Sequence, residues 1–444
     1  MKKTISLFPI ARTTFDLTLA NDMFARMKTS LTNAGYQLIG PQELITDQAM
    51  LEKAVLETDF SEADVLLVFQ ATFADAGMVK YLGQTVNVPL VLWAVHEEPN
   101  GDRLRLNSFC GINLAGHALH RAGKKYGYIY AMPESTEAME KLGRYAAAGK
   151  VRRVLSQSKI GRIGEHPAGF DSCQLNESGL KETFGISVHQ VQLDQFFKRV
   201  SAVQPETVEP VYQKVSEKVE GLAELDQTAL RGTLSSYVVM DELQQEKQLS
   251  GYAVRCWPEF FTEMGCAACG AMSMMSDKMV PTSCEVDMNG TVTQLMLQTL
   301  SGAPAFGSDL VHIDFEKQEA VLWHCGLAPL SMANPNDQPR GIVHTNRKLP
   351  FLMEFTLKPG VVTLARLSEA SGEFRLVIGR GEVLEAPKSF SGTSGVLRFD
   401  RDHQAVFETI LSEGLEHHVS LTYGDYTAEL ELLAEMLDLP VIHL

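Results

Sequence analysis

The stretches ADVLLVFQ, residues 63–70, and PLVLWAV, residues 89–95, are apolar at almost every position, and what covers their two faces decides the fold. A strand with one wet face alternates apolar and polar residues. A continuous apolar run is buried on both sides, as in a parallel sheet with helices above and below. TISLFPI, residues 4–10, and KYGYIYA, residues 125–131, repeat the theme, with amphipathic stretches such as FDLTLANDMFARMKTSLTNAG, residues 15–35, between the runs. The alternation predicts a doubly wound α/β domain over residues 1–155. Ligands in such a sheet are expected beyond the strand ends, near Arg12, Gln70 and Trp93 to Glu97.

A second α/β region is expected over residues 156–300, beginning near VRRVLSQSKIGRIGE, residues 151–165, and including a long polar helical region across residues 210–247. Beyond residue 300 the texture changes to short strands separated by Gly and Pro turns, as in EAVLWHCGLAP, GVVTLARLS and SGVLRFD. The expected fold class is therefore α/β: two doubly wound Rossmann-like domains, followed by a β-rich C-terminal domain over residues 301–444.

A chain of 444 residues, 45% of them apolar, can fill more than one core. The formal net charge of −16, with Lys and Arg scattered, argues against nucleic acid or an anionic membrane as the main partner and favours a small molecule. MKKTISLFPIA begins like a signal peptide, but Pro9, Arg12 and Asp16 interrupt it. No run of about eighteen apolar residues offers a membrane span. The expected location is cytoplasmic. Seven cysteines are not expected to form a disulfide framework and suit a reducing compartment.

Single motifs are weak. CAAC, with Cys266 and Cys269, has the spacing of a redox or zinc half-site but lacks a second half, and its apolar flanks favour packing. HALH, with His117 and His120, has helical spacing but no nearby acids. VIGRGEV reads as a turn between strands rather than a dinucleotide fingerprint. PTSCEVDMNG, residues 281–290, is more unusual: it places Glu285 and Asp287 at the end of an apolar segment. An ionised acid at such a place needs a compensating charge, and a divalent cation can supply one. Glu285, Asp309 in FGSDLVHID and His418 in LEHHVSLTYGD form a suitable ligand set of two carboxylates and an imidazole.

On these stretches the chain resembles the L-fucose isomerase family, related to the L-arabinose isomerases. CEVDMNG is similar to the family segment whose Glu binds manganese and serves as acid/base. The family's second carboxylate ligand lies 24 residues on, and 285 plus 24 is 309, an Asp here. EHHVSLTYGD and the closing helix resemble the family's C-terminal run, which maps His418, rather than His417, onto the metal-binding histidine. LFPIARTTFD aligns Arg12 with an Arg that contacts sugar held by a neighbouring subunit, and LWAVHEE aligns Trp93 with a sugar contact.

The resemblance implies an aldose–ketose isomerase working through a cis-enediol, with Glu285 and Asp309 as catalytic pair. Glu285, Asp309 and His418 would hold Mn2+, and Co2+ or Mg2+ would also suit the donors. It also implies a homo-oligomer, hexameric by family habit, with the active site at a subunit interface. His417 and Glu259 are further candidates for lining the pocket. The short length resembles isomerases of sulfoquinovose, a glucose carrying a C6 sulfonate, and such a substrate needs a cation from Arg12, Arg340, Arg347, Lys348 or Arg380. Isomerisation of a neutral sugar such as L-fucose or D-arabinose is the alternative substrate reading. The rivals from other classes are a non-catalytic sugar-binding protein and a thiol redox enzyme using Cys266 and Cys269.

Overall fold

The computed structural model describes residues 3–444, which form two compact units divided after Arg153. In the first unit five parallel strands, β1 (Thr4–Ile10), β2 (Gln37–Ile39), β3 (Val65–Gln70), β4 (Leu90–Ala94) and β5 (Gly127–Tyr130), run in the order β2-β1-β3-β4-β5. Both faces are covered, as the apolar runs require. Leu7, Leu67, Phe69, Val91 and Trp93 pack against the helices Leu17–Asn33 and Thr136–Ser156. Phe8, Leu66, Val68 and Leu92 pack on the other face against Gln48–Glu57, Gly77–Thr85 and Ser108–Arg121. Each such side chain contributes about 1.5–3 kcal/mol by burial. Asp16 starts the first helix by accepting a hydrogen bond from the Leu19 N–H at 3.0 Å. Gly149 lets the last helix lie directly on the entry to β3, because a Cβ there would collide with the Asp64 carbonyl.

The second unit begins with four parallel strands, β6 (Lys159–Ile163), β7 (Ser187–Val191), β8 (Gly251–Val254) and β9 (Thr282–Ser283), in the order β7-β6-β8-β9. The long helical region expected across residues 210–247 is broken into helices Pro205–Ser216 and Gln227–Lys247. Gly221 turns the chain at φ 78°, and Asp226 caps the second helix through the Ala229 N–H.

The rest of the unit is β-rich: β10 (Phe306–Asp314), β11 (Glu319–His324), β12 (Arg340–Ile342), β13 (Leu352–Thr356), β14 (Gly360–Ser368), β15 (Arg375–Leu384), β16 (Thr393–Phe399), β17 (His418–Tyr423) and β18 (Val441–His443). The pairings β16-β11-β10-β17-β14-β15 are antiparallel, and β15 pairs back to β16, which closes a six-stranded barrel. Closure removes the sheet edges that the six strands would otherwise leave unpaired. The break expected at residue 300 falls inside this unit, whose core runs continuously from Ile163, Tyr252 and Met272 to Phe306, Leu322 and Leu421.

The cysteine expectation needs one correction. Cys256 and Cys284 follow the neighbouring strands β8 and β9, so their Cα atoms lie 5.8 Å apart and the two are joined as a disulfide. Adjacency in the sheet, invisible in sequence, brings them together.

Candidate active site

The second unit's parallel sheet delivers Glu285. After the short β9 the chain makes a single turn, Cys284–Val286, in which Glu285 (φ 59°) and Val286 (φ 60°) are both left-handed. Such a conformation costs a non-glycine residue about 1–2 kcal/mol, and strain of this kind concentrates at functional sites. Asp287 then caps the helix Met288–Ser301, its Oδ1 accepting the Gly290 N–H at 2.9 Å. Its other oxygen, Oδ2, accepts from Arg366 of β14 and lies 2.8 Å from His418 Nδ1. The Asp287 and Arg366 side chains are almost entirely buried, and Glu416 lies 3.7 Å from Arg366 Nε.

The barrel delivers the other two residues. Asp309 on β10 and His418 on β17 are register partners, placed directly opposite across an antiparallel pair, which puts their side chains on one face. His418 Nε2 is 3.5 Å from Asp309 Oδ1 and 3.8 Å from Glu285 Oε2. With Nδ1 engaged by Asp287, Nε2 is the nitrogen that faces both carboxylates. His417, one residue before β17, lies 3.1 Å from Glu285 Oε2 through Nε2 and 3.1 Å from the Ser172 hydroxyl through Nδ1. The Trp257 indole N–H donates to Glu285 Oε1 at 3.1 Å. Phe170 stands edge-on to both rings, 5.4 Å from Trp257 and 6.0 Å from His417.

The electrostatics follow from this packing. Burial opposes an ionised Glu285, but the His417 bond, the His418 charge and the Trp257 bond together hold its carboxyl below the ordinary range. Burial likewise opposes the Asp287 charge, and Arg366 and His418 overcome it, leaving the acid ionised well below its usual pKa. Burial works to lower His418, yet the Asp287 bond, the Cys173 contact and the nearby carboxylates push it up to about 10. The Cys173 thiol beside it is pushed up mainly by its own burial.

A cation would suit these donors. Asp309 Oδ1 is buried without a hydrogen-bond partner, and hard carboxylate oxygens with one imidazole match a divalent ion of the Mn2+, Co2+ or Mg2+ kind. Among the described residues two groupings bring ligand atoms within 4.8 Å of one another: Cys173, Glu285 and His418, and Asp309, His417 and His418. Both contain His418, and together they include all three residues expected from sequence.

Other expected site residues fall elsewhere. Trp93 is corrected: it is fully buried in the first unit's core, its indole N–H donates to the Ala131 carbonyl at 2.8 Å, and it has no surface to offer a sugar. Its place in a strand buried on both faces is the reason. Arg12 is exposed just beyond β1, with its backbone N–H on the Thr72 hydroxyl at 2.8 Å. Glu259, two residues past Trp257, is held by Arg255 through two hydrogen bonds of 2.6 and 2.7 Å. Arg340 is exposed on β12, 4.0 Å from Glu224, and Arg380 pairs with Asp400 and Asp425. Lys348 is exposed, whereas the Arg347 guanidinium stacks 4.7 Å over the Trp257 ring. Cys266 and Cys269 are buried, and His117 and His120 are exposed.

Sequence reasoning gave no role to Asp287, Trp257, Arg366, Cys173 or Ser172. Asp287 carried a usable signal, an Asp immediately before a helix with Gly290 three residues on. The close approach requires that glycine, since a Cβ would meet the Asp287 carboxylate. Arg366 carried a weaker one, a charge inside an apolar strand.

Comparison with known proteins turns this geometry into a class, the aldose–ketose isomerases. Residues 7–156 match the family described as fucose/sulfoquinovose isomerase, N-terminal domain, and residues 353–444 match L-fucose isomerase, C-terminal domain. The chain belongs to this fucose/sulfoquinovose isomerase family. It is 33% identical over 439 residues to the sulfoquinovose isomerase of Priestia aryabhattai, covering 98% of each chain. To those of Alkalicoccus urumqiensis and Clostridium sp. (strain MSTE9) it is 33% identical over 443 residues, 99% of each chain, and 29% over 439 residues, 98% of each chain. Among the described residues no helix is long and apolar enough to cross a membrane.

Proposed function

We propose that the chain converts sulfoquinovose into sulfofructose through a cis-enediol, with Glu285 and Asp309 as the proton-transfer pair and Glu285, Asp309 and His418 holding Mn2+. The supporting observation is the convergence on one nitrogen: Asp309 and His418 are register partners, and Glu285 reaches the same Nε2 from the other sheet. The relatives named for this reaction, matched over nearly their whole length, support the choice of sugar.

An aldose becomes a 2-ketose when a proton leaves C2 and one is returned at C1. A divalent cation bound here supplies Lewis-acid polarisation of the sugar oxygens while negative charge builds on them. Glu285 is kept ionised by its neighbours, and Trp257 and His417 each hold one of its oxygens, so the carboxylate is aimed before substrate arrives. Asp309 stands across His418 from it with a free, buried oxygen, placed to carry the second proton transfer. Asp287 pins the His418 Nδ1 side and so fixes which nitrogen faces the carboxylates. His417 is suited to touch a sugar hydroxyl. In this reading Arg12 reaches sugar bound in a neighbouring subunit of a cytoplasmic homohexamer.

The test is a chelated protein assayed for ketose with and without added Mn2+ on sulfoquinovose, L-fucose, D-arabinose and L-arabinose. Mn2+-dependent formation of sulfofructose, ahead of any neutral sugar, is expected. Faster turnover of a neutral sugar would overturn the substrate, and activity without any divalent ion would overturn the cation.

A further inference from the structure

The Arg347 guanidinium lies against the wall of the site with no carboxylate partner among the described residues. Its carbon is 4.7 Å from the Trp257 ring centroid and 5.4 Å from that of Phe261. The neighbouring Trp257 indole N–H is bonded to Glu285 Oε1 at 3.1 Å, so the cation stands one indole away from the proposed catalytic carboxylate. The turn that carries Arg347 is rigid. The His344 Nδ1 accepts from the Asn346 and Arg347 N–H groups at 3.2 and 3.3 Å, and the His344 carbonyl accepts from the Lys348 N–H at 2.8 Å.

His344 also gives Arg347 a partner that carries no negative charge. Its Nη1 lies 3.3 Å from His344 Nε2. Burial, with Arg347 itself, lowers His344 to about 4, so the ring is neutral. A neutral ring brings no counter-charge to the guanidinium. No carboxylate forms an ion pair with Arg347 among the described residues. Arg255, Arg366, Arg375 and Arg380 in the same unit all have one. A half-buried guanidinium clamped on aromatic faces, with no carboxylate against its fork of N–H groups, suits a planar or tripodal oxyanion.

The cleft on the His417 side carries acidic groups instead. Beyond His417 a cleft of about 650 Å3 is lined by Asp171, Glu369 and Glu416, and Glu416 Oε2 is buried without a hydrogen-bond partner. Three carboxylates make that side a poorer place for an anion than the Arg347 side. We propose that Arg347 is the specificity-determining residue that binds the sulfonate of the sugar on the Trp257 side, which leaves C1 and C2 at Glu285. This inference rests on the sulfoquinovose reading above.

The test compares kcat/KM for sulfoquinovose and for its neutral counterpart, 6-deoxyglucose, at saturating Mn2+ in the wild type, Arg347→Met and Arg347→Lys. Melting temperatures serve as the folding control. Arg347→Met is expected to lower kcat/KM for the sulfonated sugar about 100-fold, mostly through KM, with at most about a 5-fold loss for the neutral one. Arg347→Lys should recover part of the loss, because it keeps the charge without the fork. An unchanged ratio of the two sugars in a folded Arg347→Met would overturn the role of Arg347 while leaving the substrate reading intact. A wild type that ignores sulfoquinovose overturns that reading and this inference with it. A titration with methanesulfonate gives a readout independent of turnover: heat of binding in the wild type that persists in Arg347→Met also counts against the assignment.

Discussion

The parallel sheet and the barrel of the second unit present side chains to one site by different means. The sheet works through the turn after its strands: Glu285 and Trp257 sit beyond the ends of β9 and β8, and Glu285 needs a left-handed backbone to point where it does. The barrel works through register: Asp309 and His418 face each other because their strands pair at that position, with no unusual backbone at either. A strained turn can be retuned by a few local changes, whereas a register position is tied to every other pair on the strand. The proposed chemistry would thus combine an adjustable part with a fixed one.

The largest expected effect comes from the adjustable part. Glu285→Gln should cost about 1,000-fold or more in kcat while the melting temperature stays close to that of the wild type, because the turn and its hydrogen-bond acceptor remain. A variant with near-normal turnover would show that the turn carries packing rather than chemistry. Next is Asp287, where the two routes meet. Asp287→Ala removes a helix cap and leaves the buried Arg366 with Glu416 at 3.7 Å and the Ser172 carbonyl at 3.3 Å in place of its close carboxylate, so urea unfolding should report a loss of about 3–5 kcal/mol. A loss below about 1 kcal/mol would mean that Arg366 finds another partner.

The pH dependence sharpens the comparison from the barrel side. His418 is raised above its unfolded value of 6.5, to about 10. The stability its proton contributes to the chelated protein is therefore complete below about pH 6.5 and lost as pH rises toward 10. On the proposed ligand set Mn2+ would compete with that proton, so apparent affinity should climb up to about tenfold per pH unit across neutral pH. A melting series with and without Mn2+ between pH 6 and 9 checks both, and a pH-independent affinity would remove His418 from the ligand set. The smallest effect lies outside both routes. Trp93→Phe should cost about 1 kcal/mol through the lost bond to Ala131 and leave KM unchanged. A raised KM would return Trp93 to the sugar.

These contrasts also mark what the sequence could disclose. The parallel strands of the first unit were legible because burial on both faces writes itself as an unbroken apolar run. The same reasoning, applied consistently to PLVLWAV, places Trp93 in the core; the resemblance drew it to the sugar instead. Barrel closure was not legible, since the pairing of β16 with both β11 and β15 leaves no local trace. The disulfide was hidden for the same reason, because Cys256 and Cys284 meet only once β8 and β9 are neighbours. Glu285, Asp309 and His418 were proposed through a resemblance over several segments and lie close together in the fold, while the work of Asp287 needed its two oxygens resolved to different partners. Arg347 stood in the sequence as one of five equivalent cations. Arg340 and Arg380 have carboxylate partners, Arg12 and Lys348 are exposed, and Arg347 alone of the five stacks half-buried on Trp257 and Phe261, a placement that only the folded chain reveals.

The facing of Asp309 and His418 also makes the site a checksum on assembly. A slip of one residue between β10 and β17 would turn the two side chains to opposite faces and scatter the donor set. A wrongly zipped barrel would then be blind to the cation, and only the correct topology would draw extra stability from it by mass action. In a cell that keeps its divalent ions scarce, the ion that serves the chemistry would double as an inspector, retaining the chains whose strands have been threaded correctly.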